Sequence, residues 1–338
     1  MDAPTAGSLL ERSELAGPGL AGLDRKALFE ELEERYDELL AALQWFLEAG
    51  RVDEAMRLAR SLAPFWTATR RLAEASEWFD RVLAAPGGEA GNRGLACLEA
   101  GFLWFWQGDD EKASALFGQG LEIGRHAGDP TVTALALTCF ARVALRTDVA
   151  EARRLCREAL AVSEGTDDRR GRSNAVHVLG VAAQMAGDLV EARELMTKRI
   201  ELARELGSFA GVASESGNLS MVERQLGNLD RAEALAREAL DIARQREDEW
   251  LFPYLINGLA AVAAERGELE RAATLIGGAE AMMEAQGAAW PPDERPHYEQ
   301  TLAKLSEAMS PDDFERLRGR GRSFAARDAV EYAFAADR

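Results

Sequence analysis

The residues best suited to catalysis are few and scattered. The chain's three histidines, His126, His177 and His297, fall in separate segments, and no GxSxG or HExxH pattern accompanies them. A nucleophile, its base and an orienting group therefore have no local signature. Glu294 and His297 stand one helical turn apart without a second pair of ligands, so the sequence implies no metal site and reads this stretch as a proline-broken loop. Cys97, Cys139 and Cys156 form no CxxC pair and are expected as buried, reduced thiols. Two acid–base candidates remain. Glu99 precedes the aromatic run Gly101-Phe102-Leu103-Trp104-Phe105-Trp106, and a carboxyl enclosed by rings shifts toward neutrality. His177 follows Asn174 by one turn and can donate or accept a hydrogen bond. On these two rests the reading of the chain as an enzyme acting on an apolar substrate.

Composition narrows the field. The 338 residues carry a net charge of −18, which disfavours binding to a phosphate backbone and favours basic or neutral partners. A hydrophobic fraction of 47% suffices for a packed core. No window approaches the ~18 apolar residues of a membrane span, and residues 1–23 lack the basic start and apolar run of a signal peptide. A cytoplasmic location is expected. No GxxxxGK[ST] loop is present to cradle a nucleotide, so no cofactor is implied, and no helix-turn-helix with a basic second helix is evident.

The elements that must position the candidates follow from a repeat. Short turns recur at Gly108-Asp109, Thr147-Asp148, Gly187-Asp188, Gly227-Asn228 and Gly267-Glu268, spaced by 39, 40, 40 and 40 residues. Five residues after the start of each turn stands an alanine: Ala113, Ala152, Ala192, Ala232 and Ala272. Farther along come Phe117, Cys156, Met196, Ala236 and Ile276, on the same helix face. Small residues Gly101, Gly180, Ser220 and Ala260 recur before the turns, and no run alternates as a half-buried strand would. The expected fold is all-α: a right-handed solenoid of about six helical hairpins, at 52–85, 92–128, 131–164, 170–207, 210–247 and 250–287. Residues 1–23 are read as a flexible leader, and residues 24–48 as one long capping helix. Pro64 should kink or split its helix. Pro291-Pro292 and Pro296 should interrupt the array before C-terminal capping helices in 291–338, near 294–309, 311–319 and 325–336. Arg316, Arg318, Arg320, Arg322 and Arg327, interleaved with glycine, are read as a solvated turn and helix cap.

The small residue before the turn, the alanine after it and the mostly small position late in the second helix, Gly120, Ala159, Arg199, Ala239 and Ala279, resemble the tetratricopeptide repeat. The period of about 40 departs from its usual ~34. In tetratricopeptide proteins the first helix of each hairpin lines a concave wall. That resemblance selects Arg57, Arg60, Glu99, Phe102, Phe105, Trp106, Asn174, His177, Gln184, Ser214, Asn218, Arg224, Tyr254 and Asn257 as candidate ligand-binding residues. Aromatic area supplemented by a few amides and arginines suits a selective groove.

A wider resemblance covers nearly the whole chain. Residues 23–25 (LDR) and 32–45 (LEERYDELLAALQW), then 271–280 (RAATLIGGAE), 290–292 (WPP), Tyr298 and 329–333 (AVEYA) look like the repeat arm of large bacterial LuxR-type, ATP-dependent (STAND) transcription regulators. The resemblance implies a non-catalytic arm that senses a small effector, a peptide or a partner protein, here without the ATPase and DNA-binding parts. The exposed end helices leave room for a homodimer. Met1 and the terminal caps suit a natural short protein, and an arm excised from a longer regulator stays open beside it.

Overall fold

The computed structural model describes residues 1–23, 25–286, 290 and 294–335. Every regular element among them is an α-helix: α1 Ala3–Gly19, α2 Arg25–Glu34, α3 Tyr36–Glu48, α4 Val52–Ala68, α5 Leu72–Ala84, α6 Ala90–Trp106, α7 Asp110–Ala127, α8 Pro130–Ala144, α9 Val149–Val162, α10 Arg169–Met185, α11 Leu189–Glu205, α12 Phe209–Gln225, α13 Leu229–Gln245, α14 Phe252–Arg266, α15 Leu269–Ala285, α16 Arg295–Ala308, α17 Pro311–Arg322 and α18 Ala326–Phe334. None of the described helices is long and apolar enough to cross a membrane. The chain divides into two compact units, Met1–Ala182 and Ala183–Arg338.

Turn chemistry sets the pairing of helices. Gly108, Gly187, Gly227 and Gly267 adopt φ of 83°, 82°, 82° and 81°, a left-handed conformation that reverses the chain and suits glycine. Asp109 and Asp148 then cap the next helix, accepting the backbone N–H groups of Lys112 and Glu151 at 3.0 Å. The alanines at the fifth position, Ala113, Ala152, Ala192, Ala232 and Ala272, are all fully buried. Their partners on the first helix are small because the backbones approach closely. A Cβ on Gly101 would lie 2.4 Å from the Phe117 ring, and the Ser220 hydroxyl donates to the Ala232 carbonyl at 2.7 Å.

In the first unit, residues 1–23 depart from the expected loose leader. They contain α1, whose Ala6, Leu9 and Leu10 are buried in the same core as Leu43, Leu58 and Leu62. The helix expected over 24–48 is broken at Arg35 (φ −107°, ψ 11°) into α2 and α3. The break places Tyr36 against Phe65, with ring centroids 5.6 Å apart, and its hydroxyl accepts the Trp66 indole N–H at 2.6 Å. Nor does Pro64 split its helix. α4 runs through it, because Phe65 and Trp66, both fully buried, lock the last turn into the core. Cys97, Cys139 and Cys156 are free and buried, and burial pushes the Cys156 thiol up to about 12.

In the second unit, α15 and α17 meet backbone to backbone. A Cβ on Gly277 would lie 2.0 Å from the Arg318 carbonyl oxygen, and one on Gly321 would lie 1.9 Å from that of Thr274. The glycine-interleaved arginines are therefore not a solvated turn. Arg316, Arg318, Arg320 and Arg322 ride on α17 and Arg327 on α18; Arg316, Arg320, Arg322 and Arg327 are exposed as expected, while Arg318 grips the buried carboxylate of Glu280 with two bonds, at 2.8 and 2.9 Å. Arg322 adds a third at 3.2 Å, and the Tyr298 hydroxyl donates a fourth at 2.5 Å. A buried carboxylate needs such partners to offset its desolvation. The interruption expected at Pro291-Pro292 lies outside the described residues; Pro296 stands in the first turn of α16.

Candidate functional site

The structure sorts the candidate residues into two separate groups, one per unit. In the first unit, Glu99, Phe102 and Trp106 stand at i, i+3 and i+7 of α6 and so share one face. The neighbouring first helix, α4, supplies Arg60 one repeat earlier. Glu99 and Arg60 feel each other's charge, yet among the described residues no hydrogen bond or ion pair closes on the Glu99 carboxylate. The Nε of Arg60 is buried without a hydrogen-bond partner. Enclosure by the surrounding helices drives the Glu99 pKa upward, opposed by the charges of Arg60 and Arg170. The same desolvation lowers that of Arg60.

The aromatic run divides between core and surface. Trp106 is 52% exposed, its ring 5.4 Å from that of Phe105. Phe102 is half-buried, edge-on to Phe117 at 5.5 Å and covered by the Arg142 guanidinium at 5.8 Å. Phe105 departs from the expected wall position: it is buried in the α6–α8 core beneath Arg146, 4.2 Å from its ring centroid. Arg57 is also removed from the wall, since both its forks close on Glu14 of α1, at 2.6 and 2.7 Å. The sequence reading had no helix there to supply that carboxylate. Asn174 and His177 are half-buried on α10.

In the second unit the structure assembles a polar centre around His297 of α16. Nη2 of Arg224 donates to its Nδ1 at 3.1 Å, and the Gln184 amide lies 3.4 Å from its Nε2. Because a guanidinium can only donate, Nδ1 must accept, and the ring is neutral with its proton on Nε2; the Gln184 atom facing Nε2 is the amide nitrogen, itself a donor, so that approach is not a hydrogen bond. Burial, reinforced by the Arg224 charge, lowers the His297 pKa to about 4. Arg224 in turn meets Glu265 at 3.4 Å, and Glu265 meets Lys304 at 2.7 Å. Ser214, Asn218 and Tyr254 are half-buried on their helices. Asn257 is instead 1% exposed, with both amide atoms unpartnered, because α14 sits within the core rather than at its edge.

Sequence reasoning set His297 aside as part of a loop and missed Glu265, Lys304 and the aromatic series that Trp250, Trp290 and Tyr298 form with the candidate Tyr254. Trp290 and Tyr298 stack at 4.8 Å with a 21° tilt. A signal was present: Arg224, Glu265 and Lys304 lie about one repeat apart and alternate in sign, as residues on successive first helices can pair. Trp290 and Tyr298 had no such register to betray them.

Comparison with known proteins bears on the same architecture. Residues 142–290 match the MalT-like TPR region. Over 194 residues the chain is 26% identical to a Mycobacterium bovis protein named as an HTH-type transcriptional regulator, a match covering 54% of this chain and 22% of the relative. Counterparts from two Mycobacterium tuberculosis strains match equally. The chain thus spans about a fifth of the length of these curated relatives. Among solved structures, a Rap protein complexed with Competence and Sporulation Factor superposes with a TM-score of 0.55 at 11% identity, over 90% of this chain and 100% of that one. NprR in complex with its cognate peptide NprX gives 0.52 at 17%, over 88% and 82%. BtubC from P. vanneervenii gives 0.50 at 17%, over 62% and 91%. At these identities the structural likeness is one of fold. Paired helices, a forty-residue register and these likenesses together give the chain a TPR-like helical repeat fold, with residues 142–290 matching the MalT-like TPR region.

Proposed function

We propose that this chain is a regulatory binding module that takes a peptide on the first-helix faces of its repeats. The observation that carries the reading is the pair Arg60 and Glu99: two half-buried ionisable side chains on neighbouring first helices, neither given a hydrogen-bond partner among the described residues, with Nε of Arg60 fully buried and the exposed indole of Trp106 on the face that carries Glu99. Sequestering a charge without compensation is costly, and a ligand with matching groups removes the cost. The superposable Rap and NprR structures, the second described with a bound peptide, support this reading at the level of fold. Asn174 and His177 extend the surface in the first unit, and Ser214, Asn218 and Tyr254 offer a comparable one in the second.

The test is selection of a displayed random-decapeptide library against the purified chain. The proposal expects enrichment of a recognisable consensus that binds wild type and is lost when Arg60 and Glu99 are both replaced by alanine. Absence of enrichment above an unrelated helical control contradicts it. The upward shift of the Glu99 pKa, caused by burial, favours a second reading, as a proton donor. Turnover of a bound ligand by wild type, lost in Glu99→Gln with binding retained, would support that alternative.

A further inference from the structure

Resting on the peptide-binding reading above, we infer that Arg60 and Glu99 form a charge-reading subsite for an extended peptide carrying an acidic and a basic residue two positions apart, the acid on Arg60 and the base on Glu99. Neighbouring arginines in the same unit close directly on carboxylates: Arg57 on Glu14 at 2.6 Å, Arg51 on Glu54 at 2.6 Å and Arg71 on Glu33 at 2.6 Å. Arg60 and Glu99 do not, although each lies within the other's field. The gap between them is set by the fold, since they project from adjacent first helices, α4 and α6, whose axes pack roughly 8–10 Å apart.

An extended strand rises about 3.3 Å per residue and returns its side chains to the same face every second residue, so charges at i and i+2 stand about 7 Å apart. That separation spans two neighbouring helices, which an amino acid's own ammonium and carboxylate cannot. Trp106, two turns beyond Glu99 on the same face and more than half exposed, offers its indole to the aliphatic stem and charge of the basic residue. Arg60 also feels Glu14 and Arg57, which close on each other, and Glu99 also feels Arg170, so the surroundings of the pair keep an excess of one positive charge. The acidic residue of the peptide is therefore required as well as the basic one, despite the acidic protein as a whole. A singly charged peptide would leave one of the two protein charges uncompensated.

Four fluorescein-labelled nonapeptides test this by anisotropy: Ser-Val-Ser-Lys-Val-Glu-Ser-Val-Ser, and its variants with Lys, Glu or both replaced by Gln. The inference expects the doubly charged peptide to bind at least tenfold tighter than any of the others. In Glu99→Gln the Lys-to-Gln change in the peptide should no longer matter, while the Glu-to-Gln change still does; Arg60→Gln should give the converse. Glu99→Gln is near-isosteric and Arg60→Gln shortens the side chain, so far-ultraviolet circular dichroism checks that both fold. Equal binding of all four peptides, or charge preferences unmoved by either variant, overturns the inference. So does absence of binding by all four. If library-selected peptides of other composition still bind in those cases, the binding-module reading stands and only its charge code fails.

Discussion

Nη2 of Arg224 donates to Nδ1 of His297 at 3.1 Å, so this imidazole is held neutral beside a permanent cation. Its pKa falls from the ordinary 6.5 to about 4 on folding. Between those values the unfolded chain binds a proton that the folded chain refuses, so stability is lost as pH drops through the window. The full shift corresponds to roughly 3 kcal/mol. Urea unfolding of wild type and His297→Gln at pH 7.5, 5.5 and 4.5 checks this: the variant, which can still accept from Arg224, should lose less stability on acidification. Equal losses would contradict it. Glu99, whose pKa is raised, has the opposite sign and is common to both proteins.

The Gly321–Thr274 approach predicts an inverted glycine effect. Alanine in a helix is ordinarily stabilising by about 1 kcal/mol over glycine. At Gly319, where a Cβ would meet nothing within 4 Å, Gly319→Ala should be neutral or stabilising. Gly321→Ala, on the same helix, should instead cost about 2–3 kcal/mol through overpacking against the Thr274 carbonyl. Thermal unfolding of the two variants side by side is the measurement.

If α1 belongs to the core, its two faces should respond differently. Leu9 is 1% exposed and Leu15 81%. Leu9→Ala should cost roughly 2–5 kcal/mol, and Leu15→Ala no more than about 0.5 kcal/mol. A loose leader would show neither effect, which urea titration would reveal.

Trp106 is exposed enough that its removal should leave helix content and unfolding midpoint unchanged. As a contact for the peptide's basic residue, Trp106→Ala should weaken binding of the doubly charged nonapeptide by about 1 kcal/mol or more. Unchanged affinity by titration calorimetry removes the ring from the site.

The helical class was legible because it is written locally. Each turn glycine needs a positive φ, and each buried alanine permits one close helix crossing, so both recur with the period. What was not legible depends on contacts between distant segments. No local pattern tells that Glu14 will close on Arg57, that Arg318 and Arg322 will surround Glu280, or that α1 will pack at all: its Gly, Pro and Ala content reads as linker, and its core contacts exist only once α3 and α4 are in place. The candidate wall was read by counting from the turns, which selects a helix face but not its depth. Hence Phe105 and Asn257 proved to be core, while Glu99 is half-buried and Trp106 exposed. His297 was missed because its partner Arg224 lies 73 residues away.

If the peptide lies on the first helices beside Arg60 and Glu99, a doubly charged nonapeptide with a photoreactive benzophenone between its charges, irradiated with the protein and mapped by mass spectrometry, should label α4 and α6. Adducts are expected within Val52–Ala68 and Ala90–Trp106 and should disappear when Arg60 and Glu99 are both replaced by alanine. Adducts confined to the second helices α5, α7 and α9, or to the open charged trough around Arg193, Lys198 and Arg231 in the other unit, would contradict it.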